Sequence, residues 1–334
     1  MRFEAASTPA VAGCGPQPAL QDPPNVRAVA RVASDFFLRT MDGMVRDARG
    51  DLIRAIVFTA MWSANVRHIT RSPANGEYSG RDAIAPDALR LPVSVTALAS
   101  SLRIPYETVR RHVRRLHEQG TCVHVGRAGY IVPAAVHGQA SRIARLDEAW
   151  ASLAKLLGDL RRSAFDFSPY RGVLPNTVAM PPPGKAPRNI RALLRVGAEV
   201  FLRGVDTLGM QHDDNFLDAL VYTAVWTANV RHITGSSANL AFGGLAQLPP
   251  DSARRPVTVH ALAGGLGLPY ETVRRSANRL VANGTALRKG GKGLIVPRAQ
   301  MMRPECYRGI QQAHAHVVRL VGDLHRAGLD LSRF

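Results

Sequence analysis

The stretch PVSVTALASSLRIPYETVRRHVRRLHEQG (92–120) is written a second time as PVTVHALAGGLGLPYETVRRSANRLVANG (256–284), 164 positions further along the chain. Ser94 and Thr258 are residue types that cap a helix N-terminus. Val95, Leu98, Ala99 and Leu102 follow at the i, i+3, i+4, i+7 spacing of one helical face. Pro105 pre-sets the backbone for a second helix over 105–118, and Gly120 ends it. On that helix Val109, Val113 and Leu116 share a narrow arc that must meet a core, which leaves Glu107, Arg110, Arg111, Arg114 and Arg115 outside it. In the second copy the same wheel turns Val273, Ala277 and Leu280 inward and Glu271, Arg274, Arg275, Asn278 and Arg279 outward. Downstream, TCVHVGRAGYIVP (121–133) alternates toward a hairpin with glycines at its bend, and TALRKGGKGLIVP (285–297) repeats the pattern.

The duplication extends well beyond this stretch. VFTAMWSANVRHIT (57–70) returns as VYTAVWTANVRHIT (221–234), and GDLRRSAFDFS (158–168) as GDLHRAGLDLS (322–332), both at the same offset. One unit has therefore been copied whole, and a period this long with two copies is a duplicated domain. The expected organisation is a disordered N-terminal tail over 1–29, a first repeat over 30–168, a Pro-rich basic linker over 169–193 and a second repeat over 194–334. The prolines of PYRGVLPNTVAMPPPGKAPRNIRA read as an extended, semi-rigid connection. In the first copy Phe36, Phe37, Met41 and Met44 suit a first helix, with Ile56, Met61, Trp62 and Ile69 on a second.

Charge narrows the function. Lys and Arg number 43 against 25 Asp and Glu, a formal +18 over 334 residues, and such an excess calls for a polyanionic partner, of which duplex nucleic acid is the commonest. The three cysteines, Cys14, Cys122 and Cys306, are too scattered for a structural zinc site. No metal or other cofactor is expected, no phosphate-binding Gly loop or nucleophile elbow is present, and an enzyme is not expected. The N-terminus lacks the basic and apolar regions of a signal peptide, and no apolar run reaches membrane-spanning length. A cytoplasmic, nucleoid-associated protein with no membrane partner follows.

The order helix, short strand, helix, turn, arginine-faced helix and Gly-containing hairpin resembles the winged helix-turn-helix of bacterial transcription regulators, in particular GntR-, MarR- and IclR-like domains. The resemblance rests on Leu98, Ala99, Leu102, Thr108, Val109, Arg110, Arg111, Leu116 and Gly120, and on Leu262, Ala263, Leu266, Gly267, Thr272, Val273, Arg274, Arg275, Leu280 and Gly284, about a quarter of the chain in all. It implies a mainly α fold with small β-wings: two winged helix-turn-helix domains, each flanked by helices, arranged as a pseudo-dimer. It implies double-stranded DNA as partner, with 105–118 as recognition helix and 121–132 as wing. The DNA-binding residues would be Tyr106, Glu107, Thr108, Arg110, Arg111, Arg114, Arg115 and Arg127, then Tyr270, Glu271, Thr272, Arg274, Arg275, Asn278, Arg279, Arg288, Lys289 and Lys292. Arginine favours guanine and asparagine adenine, so the changes His112 to Ser276 and Arg114 to Asn278 predict related but non-identical half-sites.

Two further features shape expectation. The seam Ile143, Leu146, Trp150, Leu153, Leu157, Leu160 and its counterpart Tyr307, Ile310, His314, Val317, Val321, Leu324 could pair two helices as a short coiled coil or cover each repeat by itself. In the retained W-[ST]-A-N-V-R-H-I-T string, Trp62 and His68 are expected to pack, with Arg67 on a phosphate or a neighbouring helix; the alternative is that Asn65, Arg67 and His68, with Asn229, Arg231 and His232, line an effector pocket or a metal site. A plasmid-type replication initiator and a winged-helix protein-interaction scaffold are the alternative functions. A further homodimer, the transcription machinery and a small-molecule effector are partners the sequence leaves open.

Overall fold

The computed structural model describes residues 22–72, 75–182, 184–211, 215–291 and 293–334. The fold is mainly helical with small antiparallel sheets. The first half of the chain carries α1 (Val26–Asp47), α2 (Leu52–Thr70), α3 (Val95–Leu102), α4 (Tyr106–Glu118), β1 (Val123–Val125), β2 (Gly129–Ile131), α5 (Ala134–His137) and α6 (Ala140–Arg162). The second half carries α7 (Ile190–Gln211), α8 (Phe216–Thr234), α9 (Ala238–Ala241), β3 (Val257–Thr258), α10 (Val259–Leu266), α11 (Tyr270–Ala282), β4 (Leu287–Lys289), β5 (Gly293–Ile295), α12 (Arg298–Met301) and α13 (Pro304–Arg326). No helix among these residues is long and apolar enough to cross a membrane.

Local chemistry sets the α3–α4 and α10–α11 units. Ser94 Oγ accepts the Ala97 N–H at 3.1 Å and Thr258 Oγ1 the Ala261 N–H at 3.2 Å, the side-chain caps foreseen from sequence. The turn that follows needs one left-handed residue. Gly267 supplies it at φ 64° in the second half, but in the first half Arg103 takes φ 52°, a conformation that costs a Cβ-bearing residue about 1 kcal/mol. The hairpins differ too. In the second half β3, β5 and β4 form a three-stranded sheet in that order, whereas in the first β1 pairs only with β2, and the place of β3 is taken by one bridge from Val93 to Tyr130. Gly129 admits that bridge, since a Cβ there would stand 2.4 Å from the Val93 carbonyl oxygen.

A buried asparagine locks each hairpin to its long helix. Asn65 Nδ2 donates to the carbonyls of Leu91 and Tyr130 at 2.7 and 3.1 Å, and its Oδ1 accepts the Val132 N–H at 2.9 Å. Asn229 repeats all three bonds with Arg255, Leu294 and Val296. Both asparagines are wholly buried, and their side chains serve to hold the hairpins in place. His68, expected to pack, is exposed, as is Arg67.

The halves interleave through their first helices. α1 lies against α8, α10 and α13 of the second half as well as α2 and α6 of its own, and α7 lies against α2, α3 and α6 as well as α8 and α13. Arg31 donates to Asn239 Oδ1 at 3.0 Å, while Arg195, its equivalent, donates to Asn75 Oδ1 at 2.6 Å. Arg27 donates to the Leu245 carbonyl at 3.1 Å, and its equivalent Arg191 to the Arg81 carbonyl at 2.6 Å. Each bond thus reaches from one half into the other. Phe37 stacks on Phe201, its own equivalent, with centroids 5.1 Å apart, as the axis residue of a two-fold contact would.

These contacts correct three expectations. Residues 26–29, assigned to the disordered tail, form the first turn of α1 around Arg27, and the rest of the tail up to residue 21 lies outside the described residues. Residues 190–193, assigned to the linker, open α7. The linker itself is tied down: Val178 bridges Leu329, and the Trp150 indole N–H donates to the Lys185 carbonyl at 2.9 Å. The apolar seams of α6 and α13 do not zip together. Trp150, Leu153, Leu157 and Leu160 share one core with Val317, Val321 and Leu324 across α1 and α7, whose Val29, Val32, Ile190 and Leu193 fill the space between them.

Candidate nucleic-acid interface

α4 is held from beneath by Val109, Val113 and Leu116, all buried with α2 and α3 in the core. Its outer side carries Tyr106, Glu107, Arg110, Arg111, Arg114 and Arg115, all exposed, with Thr108 half-buried at the edge. α11 buries Val273, Ala277 and Leu280 and exposes Tyr270, Glu271, Arg274, Arg275, Asn278 and Arg279, with Thr272 half-buried. The cationic residues chosen from the helical wheel thus share one exposed side of each helix.

Their freedom is unequal. Arg110 Nε donates to Glu107 at 2.8 Å, and Arg274 Nη2 to Glu271 at 2.8 Å, so the first-turn acids orient one arginine apiece. The pair with Arg274 holds the Glu271 carboxyl below its ordinary value. Arg114 donates to Glu118 at 2.9 Å. Arg279 is clamped by both oxygens of Asp218, at 2.8 and 2.6 Å, which raises the guanidinium pKa, while Arg115 approaches Asp51 only to 3.9 Å. Arg111 and Arg275 have no hydrogen-bond or ion-pair partner among the described residues. Those two are the arginines most available to a ligand.

The hairpins flank the helices. Arg127 is exposed on the first. On the second, Arg288 donates to Asn278 Oδ1 at 2.8 Å, which couples wing to helix, and Lys289 donates to the Asp251 carbonyl at 3.0 Å. Lys292 lies outside the described residues.

The substitution of His112 by Ser276, read from sequence as a difference in the exposed surface, lies on the inner side. Both residues are buried. His112 Nδ1 stands 3.5 Å from Asp51, and Ser276 Oγ donates to Asp218 at 2.5 Å. Burial chiefly, with Arg111, Arg115 and Arg54 nearby, lowers the His112 pKa against the pull of Asp51. Position 112 lies three residues after Val109 and four before Leu116, so the wheel already placed it on the apolar arc.

Sequence reading missed the buried arginines. Arg27, Arg31, Arg191 and Arg195 are each at least nine-tenths buried, and Arg27, Arg31 and Arg195 have pKa values lowered by burial to about 10, 9 and 10. The signal was the string N-[VI]-R-A-x-x-R, present at 25–31 and 189–195, straddling the bounds assigned to tail and linker. Among the described residues no group of three or more His, Cys, Asp or Glu is placed to hold a metal ion. No family model, curated protein or solved structure matches this chain.

Proposed function

We propose that the protein is a transcription regulator that binds double-stranded DNA sequence-specifically through two winged helix-turn-helix units, joined in one chain as a pseudo-dimer and acting on the nucleoid. One observation carries this reading: two equivalent helices, α4 and α11, each pinned by an apolar face and each turning arginines to solvent beside an exposed basic hairpin. An arginine-faced helix of this kind suits a major groove, where guanidinium groups pair with guanine edges and neighbouring cations hold phosphates. The reciprocal first helices support a fixed spacing of the two units, as a duplex with two half-sites requires.

The test is a titration of a labelled duplex pool at increasing salt, followed by selection of the preferred site. Affinity should fall steeply as salt rises, because each neutralised phosphate releases counterions. Negligible duplex affinity at low ionic strength would overturn the reading. On the selected site Arg111→Ala and Arg275→Ala should each cost about 1–3 kcal/mol and relax readout in separate half-sites. An equal loss on random duplex would reduce both residues to phosphate contacts.

A further inference from the structure

A cavity of about 1060 Å³ opens between α1, α2 and α6 of the first half and α7 of the second, away from the exposed side of α4. Ten Arg and Lys side chains line it against three Asp and Glu. Several of the outer cations are already paired, as Arg145 is with Asp47 and Lys155 with Asp159. The inner ones are satisfied only in part: Arg90 Nε lies 3.3 Å from Asp87 Oδ1, and Arg195 donates to the Tyr78 carbonyl at 2.8 Å and to Asn75 Oδ1 at 2.6 Å. Arg90 is 5 % exposed and its Nη1 has no hydrogen-bond partner; Arg195 is 7 % exposed and its Nε has none; His137 is 9 % exposed and its Nε2 has none. Arg191 adds a fourth polar side chain, but its bonds run to the Arg81 and His137 carbonyls. Asp87 and Asp82 are the carboxylates that act on Arg90 and Arg191, so the inner group keeps an excess of positive charge. The remaining wall is apolar and aromatic: Phe58, Trp62, Met44, Leu146 and Leu194.

The equivalent region of the second half keeps the arginines and changes the wall. Arg254, Arg27 and Arg31 stand where Arg90, Arg191 and Arg195 do, and all are buried. Phe58, His137 and Arg142, however, are replaced by Tyr222, Met301 and Cys306. The Tyr222 hydroxyl reaches Met301 Sδ at 3.2 Å and Cys306 Sγ at 3.4 Å, so these three side chains lie against one another. In the first half Arg142 instead lies over the Phe58 ring at 4.4 Å, and the wall opens onto the cavity.

We propose that this cavity is a binding site for an amphipathic organic anion, with its carboxylate or phosphate on Arg90, Arg195 and His137 and its apolar body along Phe58 and Trp62. Unpartnered buried guanidinium N–H groups are costly, and an anion is the ligand that satisfies them in pairs. The volume is that of a site for a small organic molecule, larger than a free inorganic ion needs. The aromatic wall favours a ligand with a flat or chain-like apolar part. Leu116, Gln119 and Thr121, at the C-terminal end of α4, border the same cavity. Binding is measured on the free protein, so it stands or falls apart from the DNA-binding reading.

The experiment titrates the full-length protein by calorimetry with 1-naphthoate, 1-naphthyl phosphate, the neutral 1-naphthylmethanol and inorganic phosphate. The two aromatic anions should bind at one site per chain. The neutral analogue should bind roughly ten- to a hundredfold more weakly, the loss expected for a charge-assisted hydrogen bond, and inorganic phosphate more weakly than naphthyl phosphate. A Phe58→Tyr, His137→Met, Arg142→Cys variant, which installs the wall of the second half, should stay folded and lose the anions by a similar factor. Binding of the neutral analogue as tight as the anions, no binding of any naphthyl compound, or unchanged affinity in a folded triple variant would each overturn the proposal. The comparison of charged and neutral ligands on the unaltered protein holds whether or not the variant folds.

Discussion

Arg115 and Arg279 occupy equivalent positions on α4 and α11, yet one stands 3.9 Å from a carboxylate and the other is gripped by two oxygens of one. The difference starts one helix earlier. In the first half Asp51 is both the N-cap of α2, accepting the Arg54 N–H at 3.0 Å, and the carboxylate nearest His112 and Arg115. In the second half Asn215 takes over the cap, accepting the Asp218 N–H at 3.2 Å, and Asp218, at the position of Arg54, clamps Arg279 and Ser276. Dividing the two tasks between two residues tightens the clamp. The copies share their frame and have diverged in how firmly the frame holds the cationic side of the second helix.

The shared part of that comparison rests on the buried asparagines, and breaking them gives the largest expected effect. Asn65→Ala and Asn229→Ala each remove three buried hydrogen bonds to backbone groups, and each should cost about 3 kcal/mol at roughly 1 kcal/mol per bond. Because Arg31, Arg195 and the stacked Phe37 and Phe201 tie the halves together, calorimetry should show one lowered transition in either variant. Two separated transitions, or a loss in one half only, would mean that the halves fold as independent units.

A smaller effect sharpens the difference. Asp218→Asn should cost about 1–2 kcal/mol, because it removes the charge opposite a half-exposed Arg279 but leaves an oxygen for Ser276. Asp51→Asn should cost less than about 1 kcal/mol, since asparagine caps equally well and the arginine contact there is loose. Denaturant midpoints of the two variants measure the gap, and equal losses would remove the clamp as a distinction between the copies.

How much of this could be read from the sequence depends on whether a residue acts locally. The caps at Ser94 and Thr258, the apolar arc of α4 and α11 and the exposed arginines follow from spacing alone, and the structure places them so. The partners of Asn65 lie 26, 65 and 67 residues away, and no periodicity encodes them. The roles of Arg27 and Arg191 needed the interleaving of α1 and α7, because a charged residue near a Pro-rich segment reads as solvated until its acceptors, 218 and 110 residues distant, are known. Of the interface, the outward face was legible. The clamp by Asp218 and the cationic cavity were not, since the clamp depends on what α8 brings to α11 and the cavity on what α2, α6 and α7 bring together.

The cavity wall offers the mildest way to probe the asymmetry, through acid. Burial, with Arg90, Arg142 and Arg191 near, pushes the His137 pKa down to about 3, against about 6.5 in an unfolded chain. The unfolded state therefore takes up a proton below pH 6.5 that the folded state refuses until about pH 3. Stability due to the neutral imidazole is complete above pH 6.5 and is lost as pH falls, at no more than roughly 1.4 kcal/mol per pH unit. His112, His314 and His316 are also lowered by burial and contribute with the same sign, so the informative quantity is the difference between the protein and His137→Met. Met301 shows that a methionine is accommodated at the equivalent buried position. Urea unfolding between pH 7 and 5 should give a shallower loss for the variant, by about 1 kcal/mol at pH 5.5. Parallel pH profiles would mean that His137 is protonated inside the fold, which the surrounding guanidinium groups could tolerate only with an anion already bound beside them.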